Sequence, residues 1–159
     1  MSYYPDGLNS KEEVFKVIGM FSIDAPSIQH MKIDIKNLDD CIAGDFFQTA
    51  CIRNLNALKN FRILEIVGGS SDKVEIAMLC RKLPKLQVFS AKELALDCTK
   101  MSEFEINSSF RHIALLELGV CSTETKSKIR EVLPNLIIGQ INRGRRRSLE
   151  DFVKKRKSK

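Results

Sequence analysis

Hydrophobic residues recur along this chain in one short spacing, in which an apolar residue is followed by apolar residues three and five positions later. The five occurrences are Ile28/Met31/Ile33, Phe61/Leu64/Ile66, Leu83/Leu86/Val88, Ile113/Leu116/Leu118 and Leu133/Leu136/Ile138. Their central residues advance by 33, 22, 30 and 20 positions. The last two apolar residues of each occurrence alternate with another residue, which is typical of a β-strand with one buried face. The spacing therefore predicts about five strands.

Two stretches repeat a longer order of residue types. Phe61–Asp72 runs on to Leu83-Pro-Lys-Leu86, and Ile113–Glu124 runs on to Leu133-Pro-Asn-Leu136. Each stretch predicts a strand, a glycine-containing turn, a serine-rich helix cap, an amphipathic helix and then the next strand. Proline ends a helix because it lacks the N–H group that the helix needs. The order therefore predicts repeated strand–helix units.

The segments between the strands carry helical spacing. Ser10-x-x-Glu13 is a capping box that opens a predicted N-terminal helix over Ser10–Phe21. Four further helices are predicted, each with residues that share one face: Phe47, Ala50, Cys51, Leu55 and Leu58 after a cap at Asp45; Val74, Ala77, Met78 and Arg81 after Ser71 or Asp72; Leu94, Cys98 and Met101; and Ile129, Val132 and Leu133.

The stretch from Leu116 through Cys121 to the Leu133-Pro134-Asn-Leu136 exit resembles the cysteine-containing leucine-rich repeat. Residues 64–86 are similar, with Gly68-Gly69 at the position of the turn cysteine. The resemblance covers roughly residues 28–141 and implies a solenoid in which strand–helix units stack side by side. This subclass is typical of F-box/leucine-rich-repeat proteins, the substrate receptors of ubiquitin ligases. No segment here resembles an F-box, so a relative that binds without recruiting a ligase is equally allowed.

The predicted fold is an α/β leucine-rich-repeat solenoid with about five parallel strands and an N-terminal capping helix. Its predicted divisions are an N-terminal cap over residues 1–27, the repeat domain over 28–142 and a basic C-terminal tail over 143–159. A doubly wound α/β fold is the alternative, since it also alternates strand and helix. Its central strands are apolar on both faces, whereas Met31–Ile35 alternates with polar residues, which favours one open face.

Charge is concentrated at the C-terminal end of the sequence. The net charge is +6, yet residues 143–159 hold nine Lys/Arg and two acids, and the other residues hold 17 basic and 18 acidic side chains. No apolar segment is long enough for a signal or a membrane span, so we expect no membrane partner. Five scattered cysteines and two isolated histidines, His30 and His112, predict reduced thiols and no metal site.

A row of side chains on the predicted open face is the candidate protein-binding site. Residues between the core positions would form two rows: Lys32, Glu65, Gln87, Glu117 and Ile137, and then Asp34, Val67, Phe89, Gly119 and Gly139. Phe89 would be an apolar anchor flanked by Glu65 and Glu117, since aromatic residues often dominate interfaces. The alternative is an ordinary solvated face. The residues predicted to bind the protein partner are Lys32, Asp34, Glu65, Val67, Gln87, Phe89 and Glu117.

Other chemistry is weakly indicated. Gly68-Gly69-Ser70-Ser71 could cradle a phosphate before a helix, but it matches neither phosphate-loop pattern. A turn followed by a helix cap explains the same four residues. Neither histidine lies in a recognisable nucleophile motif. We therefore expect a non-enzyme with no catalytic residue, no cofactor and no small-molecule substrate.

The tail carries two basic clusters, Arg143, Arg145, Arg146 and Arg147, and then Lys154, Lys155, Arg156 and Lys157. Their spacing resembles a bipartite nuclear-import signal, which predicts a nuclear or nucleocytoplasmic protein. A nucleic-acid-binding arm and a merely solubilising tail are the alternatives. Ser148 follows three arginines and is a candidate phosphorylation site. The predicted function is a protein-interaction module, which the resemblance relates to ubiquitin-ligase substrate receptors. A nucleic-acid-associated protein is the alternative.

Overall fold

The computed structural model describes residues 2–3, 29–34, 60–68 and 76–139. The strands are β1 (Ser2–Tyr3), β2 (His30–Asp34), β3 (Ile63–Val67), β4 (Val88–Leu96), β5 (Leu115–Cys121) and β6 (Ile137–Gly139). The described helices are α1 (Ile76–Lys82), α2 (Glu103–Phe110) and α3 (Thr123–Val132).

The six strands form one sheet whose order, β1 to β6, is the order of the chain. Every neighbouring pair is parallel. The prediction of an α/β fold with a parallel sheet is therefore confirmed. Strand β1 was not predicted and adds one strand to the five expected. The predicted capping helix over Ser10–Phe21 lies outside the described residues.

The strand order never reverses within the described sheet. A doubly wound sheet, the alternative fold, is defined by such a reversal. Parallel crossovers are almost always right-handed, so connections that always step in one direction place their helices on one side of the sheet. Helix α1 contacts α2, and α2 contacts α3. The described helices thus form a layer beside the sheet.

The main core lies between this helical layer and one face of the sheet. Alternate residues of the strands point into it, so Leu64 and Ile66 of β3 are buried there with Phe89 of β4. From the helices, Leu79 and Phe110 pack against them. The other buried contributors include Ala91, Leu116, Leu118, Ile76, Ile106 and Ile129.

Each described helix is followed by the same short turn into the next strand. The N–H of Leu86 donates to the carbonyl of Leu83 (3.0 Å), and the equivalent bonds join Ile113 to Phe110 (2.9 Å) and Leu136 to Leu133 (3.1 Å). Helices α1 and α3 both end two residues before a proline, Pro84 or Pro134. The prediction that these prolines end their helices is confirmed.

Serine caps begin the two helices whose first turns are described. Ser102 forms a capping box with Glu105, in which the Ser102 hydroxyl accepts the Glu105 N–H (3.3 Å) and the Glu105 carboxylate accepts the Ser102 N–H (2.8 Å). Ser122 caps α3 by accepting the N–H of Thr125 (3.1 Å). Each cap satisfies donors that a helix N-terminus leaves unpaired.

Two of the predicted helices were wrong in detail. The helix with Leu94, Cys98 and Met101 does not exist, because β4 continues to Leu96 and the helix of this connection is α2. Helix α1 is present, but it buries Ile76, Leu79 and Cys80 rather than the predicted stripe. On that stripe, Ala77 and Met78 are only half-buried and Arg81 is exposed, and Val74 lies outside the described residues.

The last predicted helix is confirmed as α3. Ile129 is buried, and Val132 and Leu133 pack against the core. The helix predicted after Asp45 lies outside the described residues.

Candidate protein-binding face

The face of the sheet opposite the helices carries a row of mostly polar residues. Since neighbouring residues of a strand point to opposite faces, the residues between the core positions lie on this face. Pairing across β2 to β6 aligns one residue from each strand. These residues, called the polar row below, are Lys32, Glu65, Ser90, Glu117 and Gly139.

Side-chain hydrogen bonds join neighbours on this face. His30 Nε2 lies 2.5 Å from Glu65 Oε1, which links β2 to β3. The Ser90 hydroxyl donates to Glu117 Oε2 (3.1 Å), which links β4 to β5. Ser90 is buried, whereas Glu65 and Glu117 remain half-buried. The two carboxylates are therefore held in position and still partly accessible.

A second apolar cluster lies beside the polar row, toward the starts of the strands. It consists of Ile63, Val88 and Leu115, which are 4%, 0% and 7% exposed. In the next strand Ile137 is aligned with Leu115 and is 49% exposed. The alternative of an ordinary solvated face does not hold here, because apolar residues at the strand starts are buried on this face as well.

Phe89 is not the exposed anchor that the sequence predicted. Its side chain is fully buried in the main core, because Phe89 aligns with Leu64 and Leu116. The core positions in this region are occupied by Leu86, Phe89 and Ala91, whereas the prediction assigned them to Leu83, Leu86 and Val88. Both sets have the same apolar spacing.

Two other predicted positions move as well, by three residues in β4 and by two residues in β6. Gln87 precedes β4, where its N–H donates to the Arg62 carbonyl (2.8 Å), and Ser90 takes its predicted place in the polar row. Gly139 aligns with Glu117 in place of Ile137.

The remaining predicted residues fall on the expected face. Lys32 aligns with Glu65, and both are half-buried members of the polar row together with Glu117. Asp34 aligns with Val67, two positions beyond Lys32 and Glu65. His30 and Ser90 were missed. The signal for His30 was available, since it lies two residues before Lys32 on the same face. Ser90 carried no such signal, because the two overlapping apolar spacings of the β4 region place it on opposite faces.

The glycine turn after β3 is described only at Gly68. Gly68 has a positive φ of 84°, which glycine adopts without steric cost. Its N–H donates to the Glu93 carboxylate (3.0 Å). A carboxylate at this amide opposes an anionic ligand, so the turn at Gly68 does not support the phosphate hypothesis. Gly69, Ser70 and Ser71 lie outside the described residues.

The described cysteines are buried. The Cys98 N–H donates to Thr125 Oγ1 (3.2 Å), and burial raises the pKa of the Cys98 thiol to about 12. Burial also raises the pKa of Cys121. Thiols with raised pKa values are poor nucleophiles because the thiolate is the reactive form. Cys41 and Cys51 lie outside the described residues.

His112 is positioned for a structural role. Its Nε2 lies 2.9 Å from the carbonyl oxygen of Cys80. Burial lowers the pKa of His112, while hydrogen bonds to the backbone of Cys80 and Leu83 partly oppose that shift. The neutral imidazole can donate to the carbonyl and so connects the turn before β5 to helix α1.

Among the described residues, no group of three or more His, Cys, Asp or Glu side chains is arranged so that it could hold a metal ion. Among the same residues, no helix has the length and apolar character needed to cross a membrane. The predicted tail sites, Arg143, Arg145, Arg146, Arg147, Ser148, Lys154, Lys155, Arg156 and Lys157, lie outside the described residues.

Because comparison with known proteins found no match, the functional conclusion rests on the geometry of the sheet. No family model matches the chain, and no curated protein or solved structure is significantly similar to it.

Proposed function

We propose that this chain is a non-catalytic protein-interaction module of the leucine-rich-repeat type, and that it binds a partner protein through the polar row. The observation that carries the proposal is the alignment of this row across five parallel strands on the face opposite the helices. A repeated strand–helix unit presents such a row as a continuous surface, which solenoid proteins use for binding.

The strand spacing supports the repeat. The aligned core residues Met31, Leu64, Phe89, Leu116 and Ile138 lie 33, 25, 27 and 22 positions apart. Three of these four intervals fall within the leucine-rich-repeat range of about 20–29 residues. The same turn follows each described helix. A relationship to ubiquitin-ligase substrate receptors rests on the resemblance around Cys121.

The chemistry of the row favours a partner that presents cationic side chains. Glu65 and Glu117 lie two strands apart, which corresponds to about 9.6 Å at the usual strand spacing. Ionised carboxylates accept several hydrogen bonds and pair well with arginine. At the β6 side, exposed Ile137 offers an apolar contact. We therefore propose a partner segment with two cations and an adjacent apolar residue.

The test is affinity capture of the partner from cell extract with the full chain and with Glu117→Arg, which reverses a charge in the row. The matched control is Glu124→Arg, which makes the same change at an exposed position in the first turn of α3. A protein retained by the wild type and by Glu124→Arg, but lost with Glu117→Arg, is the expected result.

A photo-crosslinking residue at Ile137 should then attach to the same protein, and one at exposed Arg130 on α3 should not. The proposal is refuted if the two charge reversals capture the same proteins, or if crosslinking occurs from the helical side alone.

A second function, association with nucleic acid through the tail, rests on the nine cations of residues 143–159. Such binding would weaken steeply with salt, because bound cations release the counterions of the phosphates. Deleting residues 143–159 should remove the part of the salt dependence that the tail contributes. Loss of nuclear accumulation in the same deletion would support the import signal, and its persistence would contradict it.

A further inference from the structure

Basic side chains collect along the edge of the sheet where the strands begin, called the amino edge here. We infer that this edge is a second binding surface, which contacts the phosphate backbone of nucleic acid independently of the basic tail. Five cations of the amino edge are Arg62, Lys82, Lys85, Arg111 and Arg130, and Arg81 in the last turn of α1 is a sixth.

The fold brings these residues together from segments far apart in the sequence. Arg62 directly precedes β3, Lys85 lies in the turn between α1 and β4, and Arg111 follows α2. Lys82 and Arg130 belong to the last turns of α1 and α3. Because each helix ends where the next parallel strand begins, all five positions belong to one edge.

Hydrogen bonds fix the turns that carry the cations. Lys85 Nζ donates to Asn60 Oδ1 (2.9 Å), and the Gln87 N–H donates to the Arg62 carbonyl (2.8 Å). Arg81 donates to Ser109 (3.2 Å) and so connects the ends of α1 and α2. These bonds lower the entropy lost when a ligand binds, since the turns are already ordered.

The cations outnumber the negative charge at this edge. A helix C-terminus carries about half a negative charge, so three helix ends offset about 1.5 cations. Glu131 offsets one more and is the single acid in the described helix ends and turns of this edge. With Arg81 included, about 3.5 positive charges therefore remain among the described residues of this edge. None of the five cations makes a salt bridge with an acid that the structure describes.

Nucleic acid fits this surface better than a membrane does. Cations recur along the edge from one strand–helix unit to the next, which suits a polymer with regularly spaced phosphates. Membrane-surface binding usually needs inserted apolar side chains. Of the three exposed large apolar residues in the described ranges, Phe104 (80%) and Val120 (65%) belong to the opposite edge, where the strands end, and only Ile137 (49%) lies at the start of a strand.

The test measures how binding of the full chain to a short DNA duplex depends on salt. The edge variant is Lys85→Gln/Arg111→Gln, and its control is Lys100→Gln/Lys126→Gln, which removes the same charge from other segments. In a plot of the logarithm of the affinity against the logarithm of the salt concentration, each phosphate contact makes the slope steeper by about 0.9. The edge variant should therefore flatten this slope by about 1.8, whereas the control should leave it unchanged.

Three results would overturn the inference. The first is an unchanged slope in the edge variant, which would leave the tail as the sole contact. The second is equal flattening in both variants, which would show an effect of net charge alone. The third is loss of binding to phosphatidylserine vesicles without loss of binding to DNA. Circular dichroism of each variant before titration verifies that the proteins compared are folded.

Discussion

Replacing Phe89 with alanine tests the alignment of β4, on which the membership of the polar row depends. Phe89 is fully buried, and Phe104 on α2 is 80% exposed. A Phe→Ala change in a core removes apolar contacts and leaves a cavity, which costs about 3–5 kcal/mol of unfolding free energy. The same change at an exposed site costs about 0.5 kcal/mol or less. Phe104→Ala is therefore a control with identical chemistry.

The measurement is urea unfolding followed by circular dichroism. With a slope of about 2 kcal/mol per molar urea, Phe89→Ala should lower the midpoint by about 1.5–2.5 M, and Phe104→Ala by about 0.25 M or less. If Phe89→Ala is too unstable to purify, Phe89→Leu should cost about 1 kcal/mol. Equal midpoints for Phe89→Ala and Phe104→Ala would refute the alignment and would mean that Phe89 lies on the exposed face of the sheet.

Two further predictions concern single contacts. Ser102→Ala removes the capping box with Glu105 and should cost about 1 kcal/mol, measured as a lower urea midpoint; an unchanged midpoint would contradict the cap. The pKa of His112 is lowered below its usual 6.5 by burial, so the folded protein disfavours the charged form. The neutral His112 side chain therefore contributes stability above about pH 6.5. That contribution is lost as the pH falls through the pKa of His112 in the folded protein. Thermal melts of wild type and His112→Gln should therefore converge as the pH falls from 7.5 to 5, and parallel curves would contradict this assignment.

The sequence predicted the strands best where only one apolar spacing was possible. Strands β3 and β5 coincide with the Leu64 and Leu116 patterns, and a Leu-Pro pair follows the helix after each. In the β4 region two spacings overlapped, one through Val88 and one through Phe89. Local sequence cannot separate them, because both Val88 and Phe89 are fully buried, on opposite faces of the sheet. Pairing with β3 decides between them.

The false helix after β4 has a different cause. Leu94, Cys98 and Met101 have helical spacing, yet Leu94, Leu96 and Cys98 are buried while the residues between them are exposed. Burial of every second residue is the pattern of a strand. Strand β4 therefore continues beyond the point, between Ala91 and Ala95, where its pairing with β5 shifts register. A bulge interrupts the alternation that would have identified a nine-residue strand.

The charge pattern shows that overall composition does not reveal where charge collects on the folded surface. Outside the tail the basic and acidic residues nearly cancel, which predicted a neutral body. Helices favour acids in their first turn and cations in their last, and here Glu103 and Glu124 begin α2 and α3 while Lys82 and Arg130 end α1 and α3. In a parallel sheet all helices point the same way, so these small preferences add from unit to unit. The amino edge becomes basic in this way, whereas antiparallel helices would cancel these preferences. The amino edge therefore follows from the common direction of the helices, and the polar row follows from the alternation of side chains along the strands. Because the two surfaces have separate origins in the same repeated unit, a mutation in either surface should leave the other intact.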